Sequence, residues 1–343
     1  MSLAKNIFSA GLALCALLAI GLSHALAQQK VSLSIAHLGP STSPAISGTL
    51  IPLKDALEKS GQVEVTMYGA GSAYSNPDKF LELVERGVVD LAFGAQQFEA
   101  GQFPLNLLMG APLMVNDAEK ASRAYMKVLR STPDVAAEFG SNRVVVVALA
   151  GPEQLHALRP ITSLSDIKGL RILATNPGWS QMLRDLGASV VTLPVSSAYE
   201  NLQKGVVDAA SSSWQSLDAF KLFEVTNVHF EVTAVAPPVY LIMNKSKYES
   251  LPPSVRSIID DFSTPEMAAR FAAVWTKATV SAKAEALARG HSIIELPTAE
   301  REALIRQARL LTEAHIAELE AKGHPARRIY ELFLREVSAE EQK

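Results

Sequence analysis

The sequence predicts an α/β fold of two similar lobes facing each other across a cleft. The first observation is a phrase used twice, Val84-Glu-Arg-Gly-Val-Val-Asp90-Leu-Ala92 and Leu202-Gln-Lys-Gly-Val-Val-Asp208-Ala-Ala210. Each copy reads as a helix ending in a basic or polar turn, a glycine at the C′ position and the start of a buried strand. The second is that strand-like and helix-like runs alternate through both halves. The third is length: 343 residues exceed what one core usually supports, and no low-complexity segment or loose linker divides them. Lobes joined by short structured crossings suit a hinge, and a cleft between them is where small molecules are usually held.

Val31–Ala36 alternates as a strand, Ile51–Lys59 has helical spacing and stops at Gly61, and Val63–Tyr68 is a second strand. After the turn-rich Gly69-Ala-Gly-Ser72, a helix from Asn76 or Pro77 to Arg86 leads through the first glycine junction into a strand ending at Phe93, which completes a β-α-β-α-β half. The second half starts near Val144–Ala148 and continues through Asp166–Ile172, a helix from Gly178 to Leu186, Val190–Leu193 and the second junction. Pro237–Met243 reads as a strand returning toward the first lobe, and Leu251-Pro-Pro-Ser254 opens a helical stretch through Asp260. Thr264 and Pro265 form a cap and first turn for a helix that runs to Gly290. At 1.5 Å per residue its length is about 38 Å, enough to touch both lobes. His291–Leu296 offers a strand, the remainder from Thr298 is helical, and the tail from Ser338 to Lys343 is expected to fray.

Lys5, the apolar stretch Ile7–Leu22 and Ala25-Leu-Ala27 have the form of a cleavable secretory signal, with cleavage expected after Ala27. The stretch is shorter than a bilayer span, so stable membrane insertion is not expected. Cys15, the only cysteine, falls inside the leader, which excludes disulfide, thiol and cysteine-metal chemistry from the mature chain. The formal net charge of −3 is spread without long runs of one sign, which argues against nucleic acid as a partner. No Gly-x-Ser-x-Gly elbow or His-Glu-x-x-His helix occurs, and the histidines show no pair at metal-ligand spacing. Gly69-Ala-Gly71-Ser-Ala-Tyr74 begins like a dinucleotide fingerprint but has Tyr74 in the third glycine's place. The sequence therefore predicts no catalytic residue, no metal and no cofactor, and a binding protein rather than an enzyme.

A set of motifs occurs in order: Ala36-His37, Glu82 through Ala92, Asp166-Ile-Lys-Gly-Leu-Arg-Ile172, Leu186-Gly-Ala188, Ser197 through Asp208, and Met243-Asn-Lys245 followed by Leu251-Pro-Pro253. This set resembles the substrate-binding proteins of tripartite ATP-independent periplasmic (TRAP) transporters. The resemblance covers essentially the whole mature chain. It implies a two-lobed periplasmic binding protein fold with a hinge, the long helix spanning both lobes. It further implies a periplasmic receptor that closes on a small solute and delivers it to the subunits of an ion-driven membrane permease. On this reading residues 1–27 are the signal, 28–150 with about 237–275 form the first lobe, and 151–236 with about 276–335 form the second. The alternatives are a binding protein serving an ATP-driven importer or a sensor, and a secreted enzyme; neighbouring genes for two membrane subunits or for an ATPase would discriminate the first pair.

The chain departs from the family where it matters most. The family's carboxylate-binding arginine corresponds here to Leu173, with Arg171 two residues earlier on the same strand face, either a substitute or a solvated side chain. A second family arginine, found in relatives that bind acidic sugars, aligns with Glu153, which either faces water or lines the cleft and repels a carboxylate. A family asparagine corresponds to Ser212, beside Trp214, and hydroxyls next to an aromatic face suit a ligand with polar and apolar surfaces. His37 at the end of the first strand, Gln96 or its neighbour Gln97, and Trp179 at a helix start complete the candidates. Each has packing as its alternative role, while Trp275 fits the apolar stripe of the long helix and reads as packing. The expected solute is accordingly not a standard carboxylate held by the family arginine.

Overall fold

The computed structural model describes residues 30–342; the leader, Cys15 and the expected cleavage after Ala27 lie outside them. The first lobe is entered through β1 (Val31–His37), α1 (Pro44–Lys59), β2 (Val63–Tyr68), α2 (Phe80–Glu85) and β3 (Leu91–Ala95), followed by α3 (Ala118–Ser131), the short α4 (Pro133–Ala137) and β4 (Arg143–Leu149). The chain then crosses into β5 (Glu153–Ala157), β6 (Arg171–Leu173), α5 (Pro177–Asp185), β7 (Ser189–Val191), α6 (Ala198–Gln203), β8 (Ala209–Ser213), α7 (Gln215–Ala219) and β9 (Val228–Glu231). It returns through β10 (Pro238–Met243), α8 (Lys245–Ser250) and α9 (Pro253–Asp261), and ends with α10 (Pro265–Ala288), β11 (Ser292–Glu295), α11 (Thr298–Ala321) and α12 (Ala326–Glu341).

Two sheets result, in the orders β2-β1-β3-β10-β4 and β11-β9-β5-β8-β6-β7. The repeated phrase builds the same junction in each. Gly87 and Gly205 both adopt positive φ, 68° and 64°, where glycine carries no Cβ penalty. In both, the next amide turns back to the helix, Val88 N–H donating to Leu83 O and Val206 N–H to Asn201 O. The aspartate that follows then clips the neighbouring strand. Asp90 Oδ2 accepts from Ser34 N–H at 2.8 Å, and Asp208 Oδ2 accepts from Arg171 N–H at 2.8 Å.

The long helix reaches both lobes, as its length predicts. The N-terminal part of α10 buries Ala268, Phe271 and Trp275 in the core of the first sheet, while Ala282 and Ala286 pack with Leu173, Trp214 and Leu217 in the second lobe. The chain beyond residue 276 does not stay with the second lobe. α11 places Leu304 and Ala308 against the second sheet but Ile316 and Leu319 in the first core, and α12 adds Ile329, Tyr330 and Phe333 there. Nor is the tail frayed, because Glu340 is buried and pairs with Lys127 at 2.5 Å and Arg123 at 3.5 Å.

The other differences are local. α1 begins at Pro44 rather than near Ile51 and carries Pro52 inside it, and the buried face Ile46, Leu50, Leu53 and Leu57 continues through the proline. Among the elements not foreseen are α3, whose cap Asp117 accepts from Glu119 and Lys120 N–H, and strands β5 and β9.

Candidate functional site

The lobes are joined by two extended crossings, residues 150–152 and 234–237, which run side by side. Ala150 N–H donates to Pro237 O at 2.8 Å, Glu153 N–H to Val235 O at 2.8 Å and Ala234 N–H to Glu153 O at 3.0 Å. A Cβ on Gly151 would stand 3.1 Å from the Trp275 side chain, so that side of the crossing is closely packed. Glu153 is the first residue of β5 after the crossing and therefore faces the space between the lobes.

That space is a cavity of about 100 Å³ walled from both sides. The first lobe supplies Leu38, Ser43, Ala45, Phe93, Gln97, Phe98 and Trp275, and the second Glu153, Thr175, Ser211, Ser212, Gln215 and Phe220. One direct bond already crosses it, from Gln97 Nε2 to Thr175 Oγ1 at 2.7 Å. Among the described residues, no lysine, arginine or histidine is on the wall, and Glu153 is its one titratable residue. The N-terminus of α1 opens onto the cavity at Ser43 and Ala45, and the Ser43 side chain makes no capping hydrogen bond. Pro44 has no N–H, and Ile46 and Ser47 N–H donate to Ser43 O at 3.0 and 2.9 Å, so Ala45 N–H is the first-turn amide left for a ligand, with the helix dipole favouring negative charge beside it.

Glu153 is buried and its pKa is raised to about 7, foremost by burial, with the Ser211 hydroxyl and Gln97 acting in the opposite direction. Ser211 sits at the centre of a directed chain. Its Oγ accepts from Trp179 Nε1–H at 3.0 Å and donates to Glu153 Oε2 at 2.7 Å. Next to it, Ser212 Oγ is buried with no protein partner, as are Gln97 Oε1 and Gln215 Oε1. Buried polar atoms without partners on a cavity wall are groups that a ligand can satisfy.

Behind Ser212 stands a chain of three imidazoles. His156 Nε2 lies 3.1 Å from Ser212 O, His156 Nδ1 2.9 Å from His229 Nδ1, and His229 Nε2 3.1 Å from His291 Nδ1. A carbonyl only accepts, so His156 donates from Nε2. With both rings neutral His156 Nδ1 must then accept from His229 Nδ1–H, and His229 Nε2 from His291 Nδ1–H. Burial lowers the pKa of His156 to about 4; burial and the flanking rings lower that of His229 to about 2.

Of the residues predicted from the sequence, the structure brings Glu153 and Ser212 together on the cavity wall. Trp179 and Trp214 stand behind it as fully buried core. Trp179 supports Ser211, and Trp214 donates from Nε1 to Glu231 Oε1 at 3.1 Å while packing against His156 and His229. His37 is buried beneath the Gly69 turn, its Nε2 3.3 Å from Ser41 Oγ, and burial holds its pKa below the ordinary value. Gln96 turns into the first lobe, where its amide donates to Tyr125 OH; Gln97 takes the place on the wall. Arg171 lies at the start of β6, outside the cavity, with its guanidinium held by Asp208 at 3.0 Å. Leu173 is buried in the core with Trp214 and Leu217. Ligands in open α/β sheets collect at the carboxyl ends of strands, and Arg171 is at the opposite end. Trp275 both packs on Phe93 and lines the cavity. Gln97, Thr175 and Ser211 are wall residues that residue type alone does not mark; their common signal is position, one to four residues past a strand end or within the serine run.

Residues 35–318 match the family described as bacterial extracellular solute-binding protein, family 7 (DctP). A TRAP solute-binding protein from Rhodoferax ferrireducens T118, crystallised with copurified benzoate, superposes with a TM-score of 0.86 at 25% identity over 91% of this chain and 99% of that chain. A marine metagenome TRAP solute-binding protein specific for aromatic acid ligands gives a TM-score of 0.84 at 24% identity over 90% and 99%. Among curated proteins, the outer membrane transporter protein TsaT of Comamonas testosteroni is 27% identical over 209 residues, 59% of this chain and 61% of that protein. The 2,3-diketo-L-gulonate-binding periplasmic protein YiaO of Escherichia coli K12 is 22% identical over 201 residues, 58% and 61%. The chain thus spans about three fifths of the length of the curated relatives it matches. Among the described residues no helix is long and apolar enough to cross a membrane.

Proposed function

We propose that this chain, which belongs to the DctP family of bacterial extracellular solute-binding proteins, is a periplasmic receptor for a compact organic acid with an aromatic or apolar body, held between the lobes and delivered to a TRAP permease. The observation that carries this reading is the small cavity between the lobes with aromatic walls and the unpartnered Ser212 hydroxyl, which can donate to a carboxylate, while the unpartnered amide oxygens of Gln97 and Gln215 accept from a donor elsewhere on the solute. The benzoate found in the Rhodoferax ferrireducens protein supports the size and class of solute. Contacts from both lobes exist together only when the cleft is closed, so the solute shifts the population toward the closed form. The closed surface is then what the permease reads.

The acid's ring would stack among Phe98, Phe220 and Trp275, and its carboxylate would take hydrogen bonds from neutral donors and the N-terminus of α1 in place of an arginine. A second reading, an amine-bearing solute, is favoured by Glu153 being the titratable group on the wall. The test is a thermal-shift screen of the mature protein, refolded to remove captured solute, against aromatic and aliphatic acids, polyols and sugars, and amines. Saturation at a hundredfold excess over Kd stabilises the folded state by about 2.7 kcal/mol. Shifts with aromatic acids are expected; shifts with amines alone would replace this reading by the second.

A further inference from the structure

Building on the reading of the cleft as an organic-acid site, we propose that the receptor captures its acid together with a proton: Glu153 is an uncharged carboxylic acid in the complex and donates its O–H to the carboxylate of the bound solute. The proton comes from the solvent and forms the O–H bond of Glu153; the solute remains an anion, and opening of the cleft returns the proton to solvent.

Geometry leaves little alternative for an anion in this cavity. The groups facing Glu153 are Ser211 and Ser213 from β8, Gln97 from the turn after β3, Thr175 from the loop after β6, Gln215 and Ser216 from α7, and Trp275 from α10. None carries charge. On its own strand His156 bonds to Ser212 O and His229, and on β9 Glu231 is held by Lys283 at 2.5 Å. Asp218 of α7 lines the neighbouring groove together with Lys277 and Glu285 of α10, and none of the three is on the cavity wall. An ionised Glu153 would therefore meet the solute carboxylate with no cation between them, a like-charge contact at a buried carboxyl group. A protonated Glu153 turns the same contact into a donor–acceptor pair, with Ser211 fixing the carboxyl group from behind. The raised pKa, about 7, makes this protonation accessible near neutral pH.

Benzoate serves as the probe, because it remains an anion between pH 6 and pH 8. If only the protonated form of Glu153 binds, affinity follows the protonated fraction of the ligand-free receptor, and Kd rises about 10-fold from pH 6 to pH 8 where the free receptor keeps the raised pKa of about 7 and about 100-fold where its open cleft restores the ordinary value. Titration calorimetry of the wild-type protein at pH 8, in buffers of different ionisation enthalpy, should count close to one proton taken up per benzoate. Glu153→Gln, which donates N–H at every pH, should bind benzoate with a flat pH profile, so that its affinity relative to wild type grows as pH rises. A wild-type Kd that is equal at pH 6 and pH 8 with no proton uptake overturns this inference and leaves the organic-acid reading standing. Failure of benzoate, 3-hydroxybenzoate and mandelate at both pH values, with benzylamine binding more tightly as pH rises, overturns the organic-acid reading itself.

Discussion

Replacing Glu153 by glutamine should stabilise the ligand-free protein, and by an amount that depends on pH. The folded pKa of about 7 stands above the unfolded value of 4.5, so the native chain holds a proton that the unfolded chain gives up. Stability linked to Glu153 is then fully present below pH 4.5 and is lost as pH rises through about 7. At about 1.36 kcal/mol per pH unit, the loss over that span is roughly 3 kcal/mol. Glutamine keeps the shape, accepts the Ser211 hydroxyl and does not ionise. Urea unfolding of refolded protein should therefore find the variant within about 1 kcal/mol of wild type at pH 5 and about 3 kcal/mol more stable at pH 8.5, the difference expected for a buried acid forced to ionise. A variant that is equally or less stable than wild type at pH 8.5 refutes the reasoning, because the ligand-free chain would then carry Glu153 as an anion without penalty, in a closed cleft or in one opened to water.

Three other substitutions or conditions check separate parts of the structure. His156 has a folded pKa of about 4 against 6.5 unfolded, so its stability is present above pH 6.5 and lost as pH falls toward 4. That costs about 2 kcal/mol between pH 7 and pH 5, and His229, lowered to about 2, adds about as much in the same direction; Glu153 offsets part of this fall in wild type, the combined fall should emerge in Glu153→Gln, and a flat profile in that variant would argue against the buried neutral imidazole chain. Ser212→Ala removes a hydroxyl with no protein partner and should leave unfolding free energy within about 0.5 kcal/mol while weakening benzoate binding several-fold; unchanged affinity by calorimetry would take Ser212 out of the site. Arg171→Ala breaks an exposed pair with Asp208, should change stability little because solvent screens the pair, and should leave benzoate affinity unaltered; a large loss of affinity would return Arg171 to the cleft.

The two-lobed architecture was legible because a repeated local device, the glycine junction, fixes a helix end and a strand start wherever it occurs. Gly87 and Gly205 needed no tertiary context to be read. The dual span of α10 followed from its length, whereas the path of α11 did not, because the faces carrying Leu304 and Ile316 look alike in periodicity and differ only in what they meet. At the site, Glu153 and Ser212 were found because the resemblance aligned them with ligand-binding positions. The same alignment pointed to Leu173, and strand spacing left Arg171 open as its substitute or as a solvated side chain: two residues apart on a strand share a face, but they do not share an end, and the cleft is at the end. The tryptophans misled for a different reason. An indole that supports a wall residue and one that forms the wall have the same sequence signature, and only Trp275 lines the cavity.

The position of Glu153 ties protonation to movement. It follows Pro152 directly at the crossing, and its burial exists because the lobes are together. In an opened cleft, water reaches the carboxyl group and the penalty that raises its pKa is removed, so closing is itself a proton-linked step. At a pH well above 7, closing without a proton strands a charge in the cavity and costs up to about 3 kcal/mol, by the same linkage that governs folding. At a pH near 5 this cost largely disappears. A solute carboxylate makes the proton worth more still, because it supplies the acceptor for the Glu153 hydroxyl. Proton and acid thus favour the same closed state through one side chain, and each raises the affinity of the other by the same factor, as reciprocity requires. An arginine in that place would bind the anion without regard to pH; a buried glutamate makes capture conditional on it.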